Sequence, residues 1–233
     1  MKKIILIPLI LIVLTTFSQS KTTDVLAKYN LTPDHVLSLI DLSTSTMSFD
    51  AASTTTTIVE STEKKTQQKR TYTFDGKKTE GEKYTLLTYN GETPSKKKIK
   101  KFNKEKNSTP QYKEITLSEK DFFIKSEDDK MLIIGFNVPE EQINSKIAFM
   151  AHCTGFIAIN KESKKAESIE IKNNEGFNLK IFHVTNMDIN ITLAFNETLK
   201  EYYLLDESTQ MVALLMGSTI DITIEEKFTN FKF

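Results

Sequence analysis

Most residue types that announce a chemistry are scarce in this 233-residue chain. Cysteine occurs once, at Cys153, which excludes an internal disulfide and any site built from several cysteines. A chain of this size can hold a core without cross-links. The three histidines, His35, His152 and His183, are too dispersed to form a zinc site. Arginine occurs once, at Arg70. The 7 glycines and 5 prolines argue against a fibrous repeat or low-complexity disorder. Neither sign of charge dominates: 31 basic residues meet 31 acidic ones, so no global field attracts nucleic acid. No apolar run reaches the length that spans a bilayer as a helix. There is no phosphate-binding glycine loop, dinucleotide fingerprint or serine-hydrolase elbow. Glu127-Asp128-Asp129 lacks the alternating oxygens, glycine turn and closing carboxylate of a calcium loop. No catalytic residue, metal ligand or cofactor is assigned, and the chain is expected not to be an enzyme.

What is present begins with an address. Met1-Lys2-Lys3, an apolar stretch from Ile4 to Leu14, and Ser18-Gln19-Ser20 have the order of a secretory signal peptide. Cleavage is expected near Ser20, leaving residues 21–233 as a single domain. No cysteine lies near the cleavage site to carry a lipid anchor, so a soluble periplasmic or secreted protein is expected. Without Lys2 and Lys3 the 31 basic residues fall to 29 against 31 acidic, a net charge of −2. Four Asn-x-Thr triplets, at Asn30, Asn107, Asn190 and Asn196, read as chance occurrences in an Asn- and Thr-rich chain.

Periodicity gives the fold class. Thr32-Pro33 opens a helical pattern through Ile40, with a shorter turn before it, over 24–42. From Ser53 the texture becomes β-branched and alternating: Thr54 to Val59, Arg70 to Phe74 and Lys83 to Tyr89, with Glu60 to Lys69 as a long hairpin tip. Asn90-Gly91 is a turn signal. Thr93-Pro94 opens a helix over about 94–106. Strands follow at Asp121 to Lys125 and Met131 to Val138, and an apolar run from Ile147 to Ile159 pairs with Ala166 to Ile171. The clearest strand signal is Phe177 to Phe195, where Phe177, Leu179, Ile181, Met187, Ile189, Ile191, Leu193 and Phe195 all occupy odd positions. Nineteen residues is long for one strand, so a bulge or bend is expected near Thr185-Asn186. Tyr202 to Leu205, Met211 to Met216 and Thr219 to Ile224 complete roughly nine to eleven strands. The expected architecture is mainly β (α+β): one strongly curved antiparallel sheet, or incomplete barrel, with a few helices on its concave side.

Individual residues offer little chemistry. His152-Cys153 could pair a nucleophile with a base, but neighbours on a strand point to opposite faces; a small buried cysteine beside a structural histidine is the reading adopted. His183 falls in phase with the apolar face of the long strand and reads as a core histidine, with contact to a ligand as the alternative. On the helix over 94–106, Lys96, Lys97, Lys100, Lys101 and Lys104 share one arc opposite Ile99 and Phe102. The arc has no arginine or aromatic to read nucleic acid, and the apolar side is too narrow for a membrane helix. It reads as a solvated face. Residues 77–106 hold ten lysines and four acids while 113–141 hold four lysines and eight acids, so the two segments offset each other and are candidates to be neighbours in space.

The order of elements resembles the outer-membrane lipoprotein-carrier (LolA-like) superfamily. The local likeness lies in Glu80-Gly81-Glu82-Lys83-Tyr84-Thr85-Leu86-Leu87, Asn90-Gly91, Pro94 and Ile99-Lys100-Lys101-Phe102-Asn103. It is similar to a phrase in an uncharacterised exported bacterial branch, where tryptophan usually stands at the place of Tyr84. The resemblance implies an incomplete β-barrel wrapped around helices, with an apolar concavity able to hold acyl chains. It also implies a functional arginine in the carriers, which is matched to no position here; Arg70 sits beside the predicted hairpin. The function expected is a soluble exported binder or carrier of a lipid or other apolar ligand, which includes an acylated protein. Its candidate lining is Ile99, Phe102, Leu179, Ile181, Ile189, Ile191 and Leu193. The alternative is an envelope interaction or scaffold module with a filled core, in peripheral contact with the envelope. No nucleic-acid partner is expected.

Overall fold

The computed structural model of the chain describes residues 47–79, 81–106, 117–143 and 147–233. The expected signal peptide and its cleavage site, the helical pattern over 24–42, His35, and the triplets at Asn30 and Asn107 lie outside the described residues.

Eleven strands form one open antiparallel sheet: β1 (Ser48–Val59), β2 (Lys64–Asp75), β3 (Tyr84–Tyr89), β4 (Phe122–Glu127), β5 (Met131–Phe136), β6 (Cys153–Asn160), β7 (Lys165–Asn173), β8 (Phe177–Leu179), β9 (Phe182–Asn196), β10 (Glu201–Leu215) and β11 (Ser218–Lys232). The order across the sheet is β3-β2-β1-β11-β10-β9-β7-β6-β5-β4, with β8 paired beside β9. β1 therefore pairs with the last strand, β11, over eleven register positions, so the two ends of the described chain meet in the middle of the sheet. The one α-helix among the described residues, α1 (Lys96–Lys106), follows β3. Its Phe102 is buried and packs on the Tyr72 ring of β2 at 5.3 Å between centroids. The mainly β, single curved-sheet expectation holds.

Several boundaries differ for physical reasons. Lys64 to Lys69 belongs to β2 rather than to a loop; the tip is a single short turn at Glu60–Thr62, closed by Glu63 at φ 50°. Polar residues can form this strand because its backbone ladder to β1 runs unbroken from Val59↔Lys64 to Ser48↔Asp75. Tyr202 and Met211 lie on one strand, β10, not two. The long odd-numbered run splits at Lys180 (φ 58°), which turns β8 back against β9. The expected bulge is present: β10 moves one residue from Val212 to Ala213 while β9 moves two, from Asn186 to Val184.

That bulge changes which residues face inward. Val184 is fully buried and His183 is exposed, its Nδ1 3.0 Å from Oδ1 of Asn178. The core-histidine reading of His183 is corrected accordingly: the odd parity stops at the extra residue, Thr185. Two glycines fix close packing. A Cβ on Gly155 would lie 2.1 Å from the Phe136 ring, and one on Gly135 would lie 2.2 Å from the Phe123 ring. Each phenylalanine lies flat across a neighbouring strand, one on each face of the sheet.

Candidate concave site

The register aligns one row of side chains across the whole inner face. Starting at β3 it reads Tyr89, Arg70, Ser53, Glu226, Glu207, Ile191, Ile169, Ile157, Ile134 and Ile124, each directly opposite the next. Opposed residues in an antiparallel pair share a face, so charge and hydrocarbon occupy the same face of the sheet. The isoleucine half is closed: Ile134 and Ile157 have no exposure, and Ile169 almost none.

The charged half is joined to α1. Arg70 Nη1 donates to Glu105 Oε1 at 2.7 Å. Lys106 Nζ donates to the Tyr72 hydroxyl at 2.9 Å and to Glu226 Oε1 at 3.1 Å, and sits 4.4 Å from the Tyr72 ring centre. These pairs place both charges of the helix's last turn against the sheet. The lysines of the solvated arc, Lys96, Lys97, Lys100, Lys101 and Lys104, are all exposed. Two ion pairs of α1 run to β2 and β11, and Glu127 of the acidic segment pairs with Lys161.

Glu207 differs from its neighbours. It lies between Glu226 on β11 and Ile191 on β9, and among the described residues no hydrogen bond or ion pair engages its carboxylate. It is half-buried on the inner face of β10. Desolvation, reinforced by the Glu226 charge and opposed by Lys106, pushes its carboxyl up to about 7. Burial, helped by Glu226, likewise holds the Tyr72 hydroxyl well above its usual range. Among the described residues, Ser53 Oγ, Arg70 Nε and Asn103 Oδ1 are buried with no hydrogen-bond partner.

Toward the hairpin end, the next two rows on the same face are Gln68, Thr55, Ile224, Thr209, Ile189, and then Thr66, Thr57, Ile222, Met211, Met187. Thr55, Thr57, Ile222, Ile224, Thr209, Met211 and Ile189 are all half-buried. On the other side of the charged row, Phe49, Tyr72, Phe74, Phe102 and Phe228 form a buried aromatic cluster. The charged row thus separates a filled aromatic end from an open patch of threonine, isoleucine and methionine.

The residues expected to line a cavity divide. Ile189, Ile191 and Leu193 share the inner face of β9, and Phe102 reaches the same face from α1. Ile191 and Leu193 are buried, and Ile189 borders the open patch. Leu179 is half-buried on β8. Ile181 is 72% exposed in the turn after it, because the chain reverses where the alternation had seemed continuous. Ile99 is exposed on α1. The row Arg70, Glu207, Glu226 with Lys106 was not singled out from sequence. Its one signal was an even-numbered Glu226 and an odd-numbered Glu207 falling in phase with apolar neighbours on their strands.

Elsewhere little chemistry assembles. His152 Nδ1 is 3.1 Å from Glu175 Oε1 and its ring stacks on Phe177 at 5.2 Å. Cys153 is buried and its thiol is pushed up to about 11 by desolvation, which suppresses thiolate chemistry. Among the described residues no cluster of His, Cys, Asp or Glu could hold a metal ion, and no helix is long and apolar enough to cross a membrane.

No protein-family model matches the chain, and no curated protein matches it. Among solved structures, one neighbour is a domain from Vibrio parahaemolyticus named for outer-membrane lipoprotein sorting. It has 9% identity and a TM-score of 0.31, over 87% of this chain and 93% of that one. A LolA superfamily protein from Nitrosomonas europaea gives 9% and 0.31, over 87% and 94%. Both are likenesses in outline, and no residue role is carried over from either.

Proposed function

We propose that the protein is an exported, non-enzymatic binder or carrier of a lipid or other apolar ligand, working in the periplasm or outside the cell. One observation carries this reading: the half-buried patch of Thr55, Thr57, Ile222, Ile224, Thr209, Met211 and Ile189 on the inner face of the sheet. A filled core would bury the isoleucines and the methionine, as the same face does over β5, β6 and β7. Left half-covered inside a concavity, they offer apolar area to a guest, each buried methylene contributing about 0.8 kcal/mol. Threonines at the margin supply hydroxyls without closing the surface.

Lipid extraction and mass spectrometry of natively purified protein test the reading, followed by uptake of an uncharged fluorescent fatty alcohol by the delipidated form. A co-purifying lipid or saturable uptake supports it. Protein that carries nothing and takes up nothing overturns it. The scaffold alternative draws on a different place. β4 pairs only with β5 among the described residues, and its outward Phe123 is 40% exposed beside Phe156. A partner that binds that edge, on a protein that takes up no apolar probe, favours the alternative.

A further inference from the structure

The concave row holds an electrostatic imbalance. Glu207 and Glu226 are directly opposed on β10 and β11, and Lys106 from α1 is committed to Glu226 and the Tyr72 hydroxyl. Arg70 is committed to Glu105. Among the described residues Glu207 has no cation bonded to it, only the field of Lys106, at the point where the charged half of the row meets Ile191. A second feature of the same row is independent of the acids. Ser53 is 3% exposed, stands between Arg70 and Glu226 on the inner face, and its hydroxyl has no hydrogen-bond partner. It lies two strands from Glu207, roughly 10 Å at ordinary strand spacing. A polar group therefore stands on this row with nothing from the described chain to meet it.

We infer that Glu207 anchors the headgroup of the guest, and that the recess selects an amphiphile carrying an ammonium next to its apolar part. The ammonium sits on the Glu207 carboxylate and supplies the cation that Lys106 cannot. A neighbouring hydroxyl or ester oxygen of the same headgroup reaches Ser53. The hydrocarbon lies over Ile189, Thr209, Met211 and Ile224, one and two rows further along the strands. A carboxylate-headed amphiphile would bring a like charge against Glu207 and Glu226, so a free fatty acid is a poorer guest than an amine of equal chain length. The groups that face Glu207 are Glu226 from β11 and Lys106 from α1, with Tyr72 beyond them; β9 presents only Ile191. Because burial and Glu226 hold Glu207 partly protonated near neutrality, a cationic guest binds its ionised form and displaces a proton.

This rests on the concave face being an apolar-ligand site, and the test separates the two. Decylamine, decanol and decanoate are titrated calorimetrically into the delipidated full-length protein at pH 6 and pH 8. Decanol reports the apolar site alone; the ratio of amine to alcohol affinity reports the anchor. The expected result is decylamine about tenfold tighter than decanol at pH 8, a smaller advantage at pH 6, and decanoate weakest. Glu207→Gln removes the amine advantage and leaves decanol unchanged, while Glu225→Gln on the outer face of β11 preserves it. Decanol binding with no amine preference in the natural protein overturns the anchor and leaves the apolar site standing. Failure of all three probes to bind overturns both.

Discussion

The two halves of the concave row make the most instructive comparison in this protein. From β9 to β4 the row is five isoleucines, and from β10 to β3 it is Glu207, Glu226, Ser53, Arg70 and Tyr89. Both halves share one sheet, one face and one register. The isoleucine half is sealed by its own packing. The charged half needs α1: Glu105 and Lys106 neutralise Arg70 and Glu226 there. The sheet thus has a stability end and an end where charges are balanced by a separate element, with one carboxylate left over. Burying charge costs several kcal/mol per ion before pairing, so an unpaired Glu207 weakens the fold where it sits. Such positions are the ones to examine for binding.

The comparison can be broken most severely in the isoleucine half. Ile157→Ala removes a fully buried side chain between Ile134 and Ile169 and is expected to cost about 2–5 kcal/mol, read by denaturant unfolding. The equivalent change in the charged half, Ser53→Ala, deletes a hydroxyl that has no partner and is expected to stay within about 0.5 kcal/mol of neutral or to stabilise slightly. Similar costs at the two sites would mean that the halves are packed alike.

The next effect is a pH dependence. The Glu207 carboxyl is raised to about 7 in the folded chain, above its unfolded value near the ordinary glutamate range. The native state therefore holds the proton more firmly. Stability falls as pH rises from about 4.5 to about 7, by up to roughly 3 kcal/mol, and is flat above that for this group. Thermal melts of the natural protein and Glu207→Gln across pH 5 to 8 check it. The variant should lose this downward slope and gain most at pH 8.

Smaller still, Lys106→Met removes the cation from Glu226 and the Tyr72 hydroxyl. It should cost about 2 kcal/mol at pH 8 and less at pH 5, where Glu207 is protonated and no longer adds a second negative charge beside Glu226. An equal cost at both pH values would remove Lys106 from the electrostatic account. Gly155→Ala, in the sealed half, must displace the Phe136 ring and is expected to cost about 1–3 kcal/mol, again by denaturant unfolding.

The sequence by itself determined the β class, the antiparallel hairpins, the helix after β3 and the bulge near Thr185. Each is written in neighbouring residues: alternation, Asn90-Gly91, Thr93-Pro94, and a run too long for one strand. Ile189, Ile191 and Leu193 were legible as one face for the same reason. Ile181 and His183 were not placed, because a turn at Lys180 and one extra residue at Thr185 reset a period of two, and nothing local marks the reset. Only the tertiary structure decided which strands are neighbours. Arg70, Ser53, Glu226 and Glu207 are separated by as many as 173 positions along the chain, and β1 must close on β11 before they form a row. Local periodicity fixes which way a side chain points; the pairing of distant strands fixes what it points beside, and here that pairing is what puts an unneutralised carboxylate at the edge of an open apolar face.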